Sequence, residues 1–258
     1  SGHITGWSID SETELSMVQE ALEKLYFQNT DANGEVFMFA VGDGNHSLAT
    51  AKAVWDELKE KNGGIKNQDG TISIPKGFEN HNARFALIEI VNIYDSGLTF
   101  EPIHRVLFNV NNDELINYVA QKLDGTITIY DNASMLEQNV NASKGNFGFV
   151  CKNKKTRDIE YRCVQTKITD LAVSRLQPIL DEFLKLHSTD KTEIDYIHGS
   201  EEVFRLGSLD NAISILLPPI AKDSFFTTIS KNGTLPRKSF SMGEASEKRF
   251  YLECRKLF

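Results

Sequence analysis

The sequence predicts a mixed α/β protein, because short apolar runs of strand length alternate with segments of helical periodicity along all 258 residues. The run Ala212 to Leu217, which two prolines end, is typical of a buried strand, and residues 170–187 carry apolar side chains at helical spacing. This pattern indicates α/β architecture with α+β mixed sheets. The length allows one large domain or two modest ones, and we expect two parts, residues 1–110 and 111–258.

Composition narrows the class of protein. Hydrophobic residues make up 40% and charged residues 25% of the chain, values typical of a globular protein. The formal charge of −8 argues against nonspecific nucleic-acid binding, which depends on clustered Lys and Arg. We found neither an apolar run of about twenty residues nor a signal-peptide core, so we expect a soluble, cytoplasmic protein with no membrane or nucleic-acid partner. Its oligomeric state stays open.

Cysteine usage predicts reduced thiols. The three cysteines, Cys151, Cys163 and Cys254, are far apart and lack Cys-x-x-Cys spacing. An odd, dispersed set indicates neither a disulfide framework nor a zinc site.

The N-terminal part predicts a helix, a strand and a second helix. Ser11 with Glu14 three residues later forms a capping box, and apolar residues at helical spacing follow. The apolar run Val36 to Val41 predicts a buried central strand, and residues 46 to about 61 predict an amphipathic helix. We expect the rest of the chain to be organised around this strand, turn and helix.

The turn between that strand and helix is the first candidate site. It brings together an acid, an amide, an imidazole and a hydroxyl, and a helix N-terminus favours phosphate or carboxylate. The candidate residues of the turn are Asp43, Gly44, Asn45, His46 and Ser47. Alternatively, these polar residues are ordinary turn and N-cap groups that satisfy the first N–H groups of the helix.

A predicted hairpin supplies the second candidate site. Residues 84–94 and 98–110 predict two strands joined by a turn at Asp95-Ser96-Gly97. Pro102 cannot donate to a sheet, so the second strand should be bulged there or lie at an edge. His104 is a candidate catalytic residue and Arg105 a candidate phosphate ligand, although a lone histidine is more often a structural residue.

Shorter alternating elements follow residue 111. The sequence predicts helices near 112–123, 134–138, 170–187, 200–206 and 221–231, and strands near 126–130, 146–152, 159–164, 194–198 and 212–217. Pro178 should kink or restart the longest of these helices. In the loop of residues 233–243, Lys238 and Ser239 are suited to an anionic ligand; alternatively, this loop is a solvated basic turn.

Three stretches in the same order resemble the uncharacterised bacterial and archaeal family known as domain-of-unknown-function 1015. They are VGDGNHSLATAK in the turn, LTFEPIHRVL around His104, and LPRKSFSM around Lys238. Members of this family normally have a further N-terminal portion, so the resemblance implies that this chain is a C-terminal fragment. The turn also resembles the nucleotide-handling site of the ParB/sulfiredoxin superfamily, which includes ADP-dependent free-serine kinases, and this implies a ParB/sulfiredoxin-like first part. Ser47 stands where that pattern has an arginine.

These observations predict a protein that binds a nucleotide or a phosphorylated small molecule and transfers phosphate to a small hydroxyl metabolite. ADP or ATP with Mg²⁺ is the expected cofactor, with Asp43 as general base or Mg²⁺ ligand. Two alternatives stay open. One is a binding or regulatory module without catalysis, which fits the missing arginine at Ser47. The other is a metal-dependent hydrolase that uses Asp43, His46, His104 and His198, although no resident metal site is assigned.

Overall fold

The chain folds as two compact units, Ser1–Ile72 and Ser73–Phe258. The computed structural model describes residues 3, 5–42, 44–236 and 238–243, and each unit is treated separately below. Within these residues, no helix has the length and apolar character needed to cross a membrane.

Two helices form the N-terminal unit. Helix α1 (Glu12–Gln28) begins after Ser11, whose Oγ accepts a hydrogen bond from the Glu14 N–H at 3.3 Å, so the predicted cap is confirmed. Helix α2 (Asn45–Lys61) begins within one residue of the predicted start. On α2, the buried Lys59 ammonium donates to the carbonyl oxygen of Ile72 at 3.0 Å and ties the end of this unit to the helix.

The predicted central strand, Val36 to Val41, is wrong for the described structure. Val36 forms an isolated β-bridge with Thr30, while Phe39 and Val41 are 52% and 55% exposed. A strand needs a hydrogen-bonded neighbour, and the described residues supply none beyond that bridge.

The C-terminal unit contains an antiparallel six-stranded sheet with helices on both faces, together with a separate two-stranded sheet. Its elements are β1 (Phe100–Pro102), β2 (His104–Phe108), α3 (Asn112–Lys122), β3 (Thr126–Tyr130), α4 (Ala133–Asn141), β4 (Asn146–Lys152), β5 (Ile159–Gln165), α5 (Ala172–His187), β6 (Glu193–Ile197), α6 (Ser200–Gly207), β7 (Ala212–Leu216), α7 (Phe225–Asn232) and β8 (Phe240–Met242). Single 3-10 turns occur at Asn82–Arg84 and Lys222–Ser224. The predicted mixed α/β class is confirmed.

Strand order in the large sheet is β3-β5-β4-β7-β2-β6. All five residues of β7 are buried, because this strand lies between β4 and β2 and is covered on both faces. Helices α3 and α5 cover one face, where Leu107 and Ile215 lie, and helices α4 and α6 cover the other, where Val106 lies. Apolar side chains buried on both faces hold the unit together, each contributing about 1.5–3 kcal/mol relative to exposure.

The second predicted strand, residues 84–94, also differs from the structure. This stretch begins at the last residue of the 3-10 turn Asn82–Arg84 and forms no strand. Ile88 and Ile90 in it are 63% and 61% exposed. The turn at Asp95 is present, with the Gly97 N–H donating to the Asp95 carboxylate at 2.8 Å, but no hairpin forms around it. Strong β-propensity is insufficient where the described chain places no partner strand alongside.

Pro102 marks the place where the chain leaves one sheet for another. It ends β1, which pairs only with β8, and β2 starts at His104 in the large sheet. This agrees with the predicted edge or bulge, since proline has no N–H to donate to a ladder.

The predicted boundary between the two parts differs from the structure. The units divide after Ile72 and not near Asn111, because β2 pairs with β6 and β7 and therefore belongs to the C-terminal sheet. Helix α5 continues through Pro178 as one helix, so no new helix starts there. Buried α5 residues on both sides of the proline, such as Leu176 and Leu180, anchor it to the core.

Candidate functional site

The predicted turn lies at the start of α2 in the N-terminal unit. Gly44 is the N-cap, with a φ of +79° in the left-handed region that glycine enters without strain. The side chains of Asn45, His46 and Ser47 are exposed in the first turn of the helix, which holds no acidic residue. These exposed polar side chains lie at the positive end of the helix dipole, which favours an anion. Asp43, the predicted base, lies outside the described residues.

His104 lies at the start of β2, buried to 4% exposure. Its Nδ1 accepts a hydrogen bond from the backbone N–H of Leu217 at 3.1 Å, which leaves the proton of the neutral ring on Nε2. Burial, aided by the charge of Arg105 and by His198, lowers the pKa of His104 to about 4. The ring is therefore neutral at pH 7 and joins β2 to the end of β7, which favours the structural interpretation of this histidine.

Arg105 is fully buried on the α5 face of the sheet. Its Nε donates to Oε1 of Gln177 at 3.1 Å, its Nη1 donates to the carbonyl oxygen of Ile103, and its guanidinium lies 5.1 Å from the ring centre of Tyr196. Its Nη2 is buried without a hydrogen-bond partner. Burial lowers the pKa of Arg105 to about 10, although Tyr196 and Asp181 oppose this shift. The side chain is closed to solvent here, so it does not offer the open phosphate contact that the sequence predicts.

The loop with Lys238 and Ser239 meets the strand with His104. Strand β8 pairs with β1, with Phe240 opposite Pro102, and the Ile103 N–H donates to the Ser239 carbonyl oxygen at 3.4 Å. Lys238 is exposed, with a φ of +56°, whereas Ser239 is buried and its hydroxyl donates to the Pro236 carbonyl oxygen. Two of the three sequence landmarks are thus brought together in the C-terminal unit.

A small pocket opens next to this junction, at the N-terminus of α5. Its volume is about 10 Å³, which admits one water-sized atom. Its wall includes Pro102, Lys144, Asp170, Leu171, Leu217 and Ser239. Of these, the sequence reasoning identified only Ser239 as a site residue.

Charged side chains of both signs surround the mouth of this pocket. The Lys144 ammonium lies 3.6 Å from the Asp223 carboxylate, and Arg175 Nε lies 3.8 Å from the Asp170 carboxylate. Lys144 and Asp170 belong to no motif that the sequence predicted as a site. The helix predicted near residues 170–187 was the sequence feature nearest to this place, and in the structure it starts at Ala172 after an apolar N-cap at Leu171.

A second, larger cavity of about 320 Å³ lies at the other end of β2 and is lined mainly by asparagines. Asp210 in its wall is already paired with Lys152 at 2.8 Å and Arg157 at 2.6 Å. None of the predicted site residues lines this cavity. Among the residues that the structure describes, no group of three or more His, Cys, Asp or Glu side chains is arranged to hold a metal ion.

The fold and these sites define an α/β protein with exposed polar residues at a helix N-terminus in one unit and a buried polar junction in the other. The family described as "Protein of unknown function (DUF1015)" matches residues 1–182, about seven-tenths of the chain, and the chain belongs to this family. No curated protein matches the chain.

Solved structures with a similar fold include mutants of a free serine kinase. The mutant in complex with AMP has a TM-score of 0.50 and 10% sequence identity, and the one in complex with ADP has a TM-score of 0.50 and 11% identity. In both cases the match covers 89% of this chain and 80% of the kinase chain. A conserved hypothetical protein from Pyrococcus furiosus matches at a TM-score of 0.47 and 9% identity, over 90% of this chain and 84% of that one. At these identities the likeness shows the fold alone.

Proposed function

We propose that this protein binds a nucleotide or phosphorylated small molecule at the start of α2 and transfers phosphate to a small hydroxyl metabolite. The observation that carries this proposal is the N-terminus of α2, where exposed Asn45, His46 and Ser47 follow a left-handed glycine. Two observations support the choice of a nucleotide as the ligand. The sequence of this turn resembles the ParB/sulfiredoxin pattern, and the kinase structures of similar fold hold AMP and ADP.

In the proposed reaction, ADP or ATP with Mg²⁺ donates its terminal phosphoryl group. The P–O bond to the leaving nucleotide breaks, a new P–O bond forms to the substrate hydroxyl oxygen, and the hydroxyl proton passes to the Asp43 carboxylate. The leaving product is AMP from ADP, or ADP from ATP. The N–H groups from Gly44 to Ser47 bind the phosphate, and His46 positions the substrate.

Residues of the C-terminal unit have different parts in this proposal. Lys238 is exposed in the C-terminal unit and stays a candidate contact for an anionic ligand. His104 and Arg105 are given a structural part, because both are buried and bonded to the end of β7, to α5 and to the backbone of Ile103.

Thermal-shift measurements with AMP, ADP and ATP, each with and without Mg²⁺, test the binding. A ligand at about one hundred times its dissociation constant stabilises a protein by about 2.7 kcal/mol, which is several degrees for a chain of this size. Asp43→Asn should abolish turnover, whereas the matched control Glu57→Gln removes an exposed carboxylate near the other end of α2 and should change nothing.

Product analysis separates phosphotransfer from non-catalytic binding. AMP release from ADP that depends on an added hydroxyl compound would support phosphotransfer. A saturable nucleotide shift without any product would instead indicate the non-catalytic binding module. The absence of any nucleotide shift, or full turnover in Asp43→Asn, would refute the assignment of this site.

A further inference from the structure

Strand β3 lies at one end of the six-stranded sheet. Its neighbour is β5, and among the residues that the structure describes no other strand pairs with it. Strand β6 lies at the opposite end, where its neighbour in the same described sheet is β2. Each edge strand therefore has an outer side whose backbone N–H and C=O groups are not used within the sheet. Such a side can pair with a strand of another chain.

The two edge strands differ in charge. Strand β6 carries Glu193 and Asp195, and charges on an edge strand oppose pairing with another chain. Strand β3 has no charged residue and consists of threonine, isoleucine and tyrosine, which favour strands. Its two isoleucines, Ile127 and Ile129, are 38% and 72% exposed. Strand β3 therefore lacks the protection that β6 has.

The hydrogen bonds of β5 show which residues of β3 face the outer side. In an antiparallel sheet, alternate residues of a strand bond to one neighbour, and the residues between them bond to the other. The Thr166 N–H donates to the Gly145 carbonyl oxygen at 3.0 Å, so the even-numbered residues of β5 bond to β4. The odd-numbered residues of β5 therefore bond to β3, where their partners are Thr126, Thr128 and Tyr130. Consequently, Ile127 and Ile129 direct their N–H and C=O groups to the outer side.

The outer side of β3 is complementary to itself. When two copies pair antiparallel about a two-fold axis at Thr128, Ile127 of each copy lies opposite Ile129 of the other. These two residues exchange both of their N–H···O=C bonds, because both direct their backbone groups outward. The same exchange occurs on each side of the axis. Opposed isoleucines, and opposed threonines at the axis, are cross-strand pairs of the kind that stabilises a sheet.

Charge also favours β3 over β6 as the strand that joins two copies. In the register about Thr128, Asp131 lies opposite Gly125 of the other copy and Asp124 lies opposite its Asn132, so no carboxylate opposes another. The same arrangement of β6 about its middle residue places Asp195 opposite Asp195. Like charges directly opposite each other destabilise a strand pair.

We propose that two copies of this chain associate through β3, so that their six-stranded sheets form one continuous sheet. The interface is isologous, because the same residues of each copy meet. Ile127 is opposite Val164, which belongs to the core on the face that α3 and α5 cover. The isoleucines of both copies therefore shield one another on that face. The proposal does not depend on the proposed function.

Sedimentation velocity of the full chain, at micromolar to millimolar concentrations, tests the association. A reversible equilibrium between monomer and dimer is expected. Ile129→Glu should weaken the dimer by at least about tenfold, because the two-fold axis repeats the new charge on both sides of the interface. The variant should keep its fold, since Arg162 lies opposite this position in β5. Ile65→Glu is the matched control, because Ile65 is also 72% exposed but lies in the N-terminal unit.

Two results would overturn the proposal. One is a chain that stays monomeric at every concentration. The other is a dimer whose dissociation constant is the same in Ile129→Glu as in the wild type, because the copies would then meet at another surface.

Amide hydrogen exchange of the ¹⁵N-labelled wild type, followed by NMR, locates the pairing without any substitution. The amides of Ile127 and Ile129 should exchange more slowly as the protein concentration rises, because the dimer occupies their N–H groups. The amide of Thr128 already bonds to β5 in each copy and should change less. Dimer formation with unchanged exchange at Ile127 and Ile129 would contradict the proposal.

A double variant tests the register. In Ile127→Lys/Ile129→Glu, each new ammonium lies opposite a new carboxylate of the other copy, so the dimer should be tighter than that of Ile129→Glu alone. A double variant that dimerises no better than Ile129→Glu would refute the pairing about Thr128.

Discussion

Acidification should destabilise this protein through His104. The imidazole is 4% exposed, and its Nδ1 is occupied by the Leu217 N–H, so the folded state favours the neutral ring. The pKa of His104 is about 4 in the folded state, against an ordinary value of 6.5. Between these values the unfolded chain binds more protons than the folded one. The contribution of His104 to stability is therefore complete above pH 6.5 and is lost as the pH falls through 4. The difference corresponds to about 3 kcal/mol.

Urea unfolding followed by circular dichroism between pH 7 and pH 4 measures this loss. Other groups also titrate in this range, so the informative quantity is the difference between the wild type and His104→Asn, whose amide oxygen can accept the same N–H. The free energy of unfolding of the variant should fall by about 3 kcal/mol less than that of the wild type over the range. A His187→Gln variant controls for the loss of a more exposed histidine. Parallel pH profiles of the wild type and His104→Asn would refute the reasoning.

Three further predictions concern the C-terminal unit. Gln177→Leu should destabilise it by about 1–3 kcal/mol, because Nε of Arg105 then loses its acceptor, and Arg105→Met in the same chain should recover part of this loss in urea unfolding. Gly207→Ala should cost about 1–3 kcal/mol, measured in the same way, because its Cβ would lie 2.6 Å from a backbone oxygen of β4. Cys151 and Cys163 should resist alkylation at pH 8 in the folded protein, since burial raises the pKa of these thiols to about 11 and about 12.

Each of these predictions has its own control. The double variant Arg105→Met/Gln177→Leu should be more stable than Gln177→Leu alone. If it is not, the buried guanidinium is not the cause of the lower stability of Gln177→Leu. Gly6→Ala, whose Cβ would meet nothing within 4 Å, should change stability by less than about 0.5 kcal/mol. Mass spectrometry of the alkylated peptides should show modification of Cys151 and Cys163 only after urea is added; modification in native buffer would contradict their burial.

Local signals in the sequence predicted most of the C-terminal unit. Strand Thr126–Tyr130 has the predicted bounds, and α3 begins after Asn111, whose side chain accepts from the Glu114 N–H at 3.3 Å. Such elements are predictable because caps, turns and alternation act over a few residues. The family match over residues 1–182 also confirms the family resemblance. The sequence could indicate it because its landmarks are short continuous stretches.

Two apolar segments that the sequence predicted as strands were wrong, because pairing depends on residues outside the segment. Residues 36–41 and 84–94 have strong β-propensity, but a strand exists only when another strand lies beside it. The residues of such a segment do not indicate whether another strand will lie beside it. The sequence also did not indicate burial: it predicted His104 as a catalytic residue and Arg105 as a phosphate ligand, and both are enclosed where β2 pairs with β6 and β7.

By itself, the sequence determined the α/β class, the helix starts at Ser11 and Asn111, and the polar turn before α2. Only the tertiary structure decided which polar groups face solvent and which are enclosed. It paired β1, which leads into the strand carrying His104, with β8, which follows Ser239, and it set Lys144 and Asp170 around a pocket at α5. The physical reason is that capping and periodicity depend on neighbours along the chain, whereas burial and electrostatics depend on residues far apart in sequence.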